Sequence, residues 1–178
     1  MQTFIIRSTT PPTMSNEDST IDMTGFGGTG VTIYVPDSAV NDYKTALAEI
    51  ASYIQSLKEY TGSMNFYNET FTTGKYQGYK FGSLNIVDSS GSGSLPQNAF
   101  NSCVNLTNVT LEGISSIGVN AFGSCTSLES INLDGVTING DGAFIGCTSL
   151  TTIGNNSMLS LFPNGKVRTW SFGQCSSL

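Results

Sequence analysis

Apolar and polar positions alternate along this chain with two clearly different rhythms. From Ala99 onward one pattern recurs: Ala99-Phe100-Asn101-Ser102-Cys103-Val104-Asn105-Leu106-Thr107-Asn108-Val109-Thr110-Leu111, then Ala121-Phe122 through Leu133, then Ala143-Phe144 through Ile153. The template is A-F-x-x-C-x-x-L-x-x-I-x-L, and Phe100, Phe122 and Phe144 set its period at 22 residues. A further copy, Ser171-Phe172-Gly173-Gln174-Cys175-Ser176-Ser177-Leu178, follows at a longer interval. The extra residues are expected between Ser160 and Trp170, where Pro163-Asn164-Gly165 suggests a hairpin. Upstream, stepping back by 22 from Cys103, Leu106 and Val109 lands on Phe81, Leu84 and Val87, a degenerate copy with Phe81 in place of the cysteine. Within each unit the last two apolar positions are two apart, as on one face of a short strand. Phe, Cys and Leu are three apart, which suits a helical turn on the opposite wall. One coil cannot bury these groups alone; stacked coils can.

These residues resemble the BspA-like leucine-rich repeat. That resemblance implies an α/β solenoid with a sheet on one wall, a repeat of about 22 residues, and surface proteins that adhere or bind rather than catalyse. It places the repeat array at residues 79–178, incomplete at its C-terminal end because the chain stops eight residues into a copy. Residues 63–78 read as a connecting β segment.

A second rhythm precedes the array. Phe4-Ile5-Ile6-Arg7 and Val31-Thr32-Ile33-Tyr34-Val35 read as strands, and residues 1–62 as a small α+β module with one long helix. Val40, Tyr43, Leu47, Ile50, Ile54 and Leu57 are spaced 3, 4, 3, 4, 3, an a/d heptad seam. Asp37 is the expected N-cap and Gly62 the C-terminal glycine. Two readings stay open: an amphipathic helix packed on its own module, or an oligomer interface between chains, with a trimeric fibre favoured. The run from Thr10-Pro11-Pro12 to Ile33-Tyr34-Val35-Pro36 and Tyr43-Lys44 also resembles a unit that closes many such arrays, but here it comes first.

Composition narrows the chemistry. Ser, Thr, Asn and Gly account for 80 of 178 residues, against 11% charged, so turns and outer positions are filled by hydroxyls and amides. With no histidine, Ser-His-Asp, Cys-His and His-bearing zinc chemistry are impossible. A formal charge of −6 with seven Lys and Arg disfavours nucleic acid as a partner. No apolar run approaches the roughly 20 residues of a membrane-spanning helix. The opening MQTFIIRSTTPP lacks a signal-peptide layout, so it reads as a chain not exported by that route, or recut after export.

Three motifs are weighed and set aside. Gly25-Phe26-Gly27-Gly28-Thr29-Gly30 fits G-x-G-x-x-G but leads into a strand, so no cofactor is expected. The cysteines hold one repeat position each and read as buried thiols, not a metal site. Asn139-Gly140-Asp141-Gly142 reads as a turn between coils. Paired carboxylates such as Asp134 and Asp141 are the only enzymatic alternative, and no enzyme is expected.

The candidate ligand-binding surface is the set of outward strand positions: Asn108, Thr110, Glu112, Ser130, Asn132, Asp134, Thr152 and Asn156. Trp170 and Tyr34 are single aromatic candidates. The expected function is non-enzymatic recognition, adhesion or structure, with a protein or cell-surface glycan as partner. It would sit on a phage virion, as a fibre or receptor-binding component, or at the bacterial cell surface as an adhesin.

Overall fold

In a computed structural model of the chain, the described residues are 2–11, 31–154 and 168–178. They form two compact units, Met1–Tyr60 and Thr61–Leu178. The hairpin expected near Pro163 and the glycine loop 25–30 lie outside the described residues.

The first unit is a three-stranded parallel sheet, in the order β1 (Gln2–Ile5), β2 (Val31–Val35), β3 (Ile54–Ser56). The long helix is not formed. An α-helix, α1, spans Val40–Ala46, and the chain then leaves helical geometry at Leu47 (φ −122°, ψ 53°). A run of tight 3₁₀ turns over Ala48–Tyr53 delivers the chain into β3. Residues 44–52 contain good helix formers, so propensity alone favours continuation. Tertiary pairing wins instead: Ile54 to Ser56 register against Ile33 to Val35 and satisfy the open edge of β2.

The heptad spacing therefore has no continuous helix to lie on. Tyr43, Leu47, Ile50, Ile54 and Leu57 are buried within this unit, and Val40 packs half-buried against the same core. Residues predicted as a seam between chains are used inside one. Asp37 does not cap α1 either; its carboxylate accepts a hydrogen bond from the Ser56 hydroxyl at 2.6 Å. The Tyr43 hydroxyl donates to the carbonyls of Ser8 (3.1 Å) and Thr10 (3.0 Å), tying down the chain that follows β1.

The second unit carries the repeats. One parallel sheet runs β4 (Ser63–Tyr67), β5 (Ser83–Val87), β7 (Asn108–Glu112), β9 (Ser130–Ile131). A second parallel sheet is made of β6 (Gly93–Leu95), β8 (Ile114–Ile117) and β10 (Thr137–Ile138), in the order β10-β8-β6. The third wall is built of consecutive turns rather than helix, with bonds such as Asn101 N–H to Asn98 C=O and Cys103 N–H to Phe100 C=O. Among the described residues of this unit there is no α-helix. The reason lies in alternating handedness: Asn98 and Ser102, then Asn120 and Ser124, have positive φ, which breaks a helix at every turn.

The core between the walls is a stack of equivalent side chains. Phe100, Phe122, Phe144 and Phe172 lie face over face at 5.5, 5.5 and 5.3 Å, with planes within 12° of parallel. Tyr76 extends the column at 5.7 Å from Phe100 and 9°. The degenerate copy is thus offset from its expected alignment. Leu84 pairs with Val109, and the Thr107 N–H bonds Gly82 C=O, so Phe81 stands where Leu106 stands, not in the cysteine's place. Residues 63–78 are likewise more than a connection: β4 pairs along its length with β5, and Tyr76 opens the aromatic column.

Candidate recognition surface

The strand sequence S-x-N-x-x alternates apolar and polar residues, so one face of each strand enters the core and the other meets solvent. In β4, Met64 and Phe66 are buried while Ser63, Asn65 and Tyr67 are exposed. In β7, Val109 is buried while Asn108, Thr110 and Glu112 are exposed. Because the pairing is parallel and in register, chemically similar residues line up across the sheet.

Three rows result. The first follows Ser63, Ser83, Asn108, Ser130 and Thr152. These partners stand 20, 25, 22 and 22 residues apart in the chain, so insertions between strands are absorbed in the connecting walls and not in the sheet. The second row follows Asn65, Asn85 and Thr110, with exposed Asn132 two residues beyond Ser130 on the next strand. The third follows Tyr67, Val87 and Glu112, with exposed Asp134 beyond Asn132.

The rows are cross-linked by their own side chains. The Ser63 and Ser83 hydroxyls are 2.6 Å apart, and the Asn108 amide donates to the Ser130 hydroxyl at 2.9 Å. The Asn132 carbonyl oxygen accepts the Asp134 N–H at 3.0 Å, fixing the turn after β9. The face is therefore a wall of short, locally ordered hydroxyls and amides, acidic at one margin. Outward positions of its four strands include no lysine or arginine.

Seven of the eight candidate residues fall on this wall or just beyond β9; Asn156 lies outside the described residues. Reading the sequence missed Ser63, Asn65, Tyr67, Ser83 and Asn85. Their signal was present, since Ser63-Met64-Asn65-Phe66 and Ser83-Leu84-Asn85-Ile86 share one pattern four residues long. Tyr67, 68% exposed, is the largest aromatic group on the face. Tyr34 packs edge-on against Tyr60 at 5.0 Å, whereas Trp170 is 65% exposed on the turn wall.

Behind the wall, each cysteine is engaged. The thiols of Cys103, Cys125, Cys147 and Cys175 donate to the carbonyls of Tyr76, Phe100, Phe122 and Phe144, at 3.1 to 3.2 Å. Each bond reaches from one repeat to the aromatic residue of the preceding one. All four are free thiols. Burial pushes Cys103 up to about 12 and Cys175 up to about 11, and holds Cys125 well above the ordinary thiol range. At Cys147 the hydrogen bond with Cys125 lowers the thiol against the opposing effect of burial. Among the described residues, no three His, Cys, Asp or Glu side chains gather as a metal site. Asp141 accepts the Thr169 N–H at 3.2 Å, joining one turn to the next.

A family model for the BspA type leucine-rich repeat region matches residues 50–178, in six copies. The chain belongs to the BspA type leucine-rich repeat family. The family match starts well before residue 79 and takes in β4 and Tyr76, in agreement with their place in the sheet and the column. A BspA type repeat thus accounts for the recurrent Phe, Cys and Leu positions. No curated protein and no solved structure matches the chain. Among the described residues, no helix is long and apolar enough to cross a membrane.

Proposed function

We propose that this chain is a non-enzymatic recognition or adhesion protein whose repeats wind as one solenoid of about 22 residues per coil. Its contact surface is the outward face of β4, β5, β7 and β9. The observation that carries this reading is the in-register polar wall: three rows of exposed side chains held at strand spacing, about 4.8 Å, by a rigid stacked core. Side chains fixed by secondary structure and by neighbours lose little entropy on binding. Family membership supports a surface role, and an external location follows from it. A virion fibre or receptor-binding component and a bacterial cell-surface adhesin both fit such a surface.

The trimeric fibre drew on the heptad spacing, and those residues now sit in the core of the first unit. The adhesin reading does not need them and is favoured. Two measurements test this. Labelled chain should be retained saturably on intact bacterial or epithelial cells; no saturable binding across such a panel contradicts adhesion. Sedimentation should give the mass of one chain, and a stable trimer would restore the fibre.

A further inference from the structure

We propose that the wall takes a neutral, extended polysaccharide laid across the strands, with its sugar rings in step with the rows and one ring stacked on Tyr67. This rests on the reading of the wall as the contact surface and names its occupant.

The repeat distance comes first. Parallel strands present equivalent side chains every 4.8 Å or so, close to the rise per residue of an extended β-linked pyranose chain. The first row offers Ser63, Ser83, Asn108, Ser130 and Thr152 in succession, and the second offers Asn65, Asn85, Thr110 and then Asn132. Hydroxyls and amides both donate and accept, as sugar hydroxyls do, so each ring can meet the same pair of groups. A ligand with the sheet's own periodicity satisfies many such groups at once.

Charge and shape exclude the other classes. Glu112 and Asp134 line one margin, and no outward lysine or arginine neutralises an anion. Sulfated or uronic chains and nucleic acids are therefore repelled. A protein partner calls for apolar and arginine anchors near the centre of an interface. Here the central positions Asn85, Asn108 and Thr110 are small and polar, and the large aromatic group, Tyr67, lies on the edge strand β4. An exposed ring at the end of a polar track suits the apolar face of a sugar.

The test is an NMR titration of the whole ¹⁵N-labelled chain with cellohexaose, mannohexaose and chitohexaose, with a heparin hexasaccharide as the anionic control. At least one neutral hexaose should shift the amides of β4, β5 and β7 together, with heparin silent. Tyr67→Ala should weaken that binding roughly tenfold while leaving the spectrum of the core unchanged. Thr110→Arg should abolish it. No response to any neutral hexaose, stronger binding of heparin, or an unchanged affinity in Tyr67→Ala would each overturn the proposal. If cell binding is lost in Thr110→Arg while no hexaose binds, the wall remains the contact surface and the glycan is wrong. If cell binding survives Thr110→Arg, the wall itself is wrong.

Discussion

At the scale of single residues, the cysteine does two jobs that its sequence position only half discloses. Its small apolar volume fills the core, and its thiol spans to the aromatic carbonyl one repeat back, a bond that neither alanine nor valine could make. The price is alkaline sensitivity. Folding holds the Cys103 and Cys175 thiols protonated, at about 12 and about 11, while the unfolded chain lets them ionise near 9.0. Folded-state pKa values raised above unfolded ones give stability that is complete below the unfolded value and is lost as the pH climbs towards the folded one. The thermal midpoint should accordingly fall between pH 9.0 and about 11 in the native chain, and fall less steeply in Cys103→Ala. Identical slopes in the two proteins would contradict this account. Trp170 makes a different point about residues. It occupies, at φ 58°, the left-handed position held by Gly74, Asn98, Asn120 and Gly142 in the other turns. Asparagine and glycine enter that region at little cost, whereas tryptophan does so under strain.

At the scale of elements, the repeat was legible and the module before it was only partly so. Phe, Cys and Leu recur because each must meet its counterpart in the neighbouring coil, so the core constraint is written into every copy. The two copies nearest the N-terminus were harder to see, since Tyr76, Tyr79 and Phe81 replace Phe, Cys and Leu and the interval changes to 25. Structure reveals them through pairing, which sequence spacing does not report. The α1 region failed for the opposite reason. Its 3,4 spacing is genuine, but a helical turn, 3₁₀ turns and a strand can bury the same residues when an open sheet edge lies alongside. The second sheet went unread because its strands are short, with a residue bulged out beside Gly93. Stacking also sets energies at this scale. Phe122 is fully buried between Phe100 and Phe144, so Phe122→Ala should cost about 3–5 kcal/mol in urea unfolding. A loss below about 1 kcal/mol would show that the column is not continuous.

At the scale of the molecule, the repeat unit separates two tasks. Buried Phe, Cys, Leu and Ile make the stack rigid, and the outward strand positions are left to vary without disturbing it. That separation explains the composition: hydroxyl, amide and glycine residues fill turns and faces, and charge is sparse. It also predicts that large polar substitutions on either outer wall leave folding intact, so loss of recognition can be assigned to a face. The decisive measurement compares retention on cells of the native chain, the wall variant Asn85→Arg/Thr110→Arg and the turn-wall variant Val104→Arg/Thr126→Arg, all with matched thermal midpoints. Retention should be lost in the wall variant and kept in the turn-wall variant. Retention kept in the wall variant, or lost only in the turn-wall variant, would contradict the assignment of recognition to the β4–β9 face.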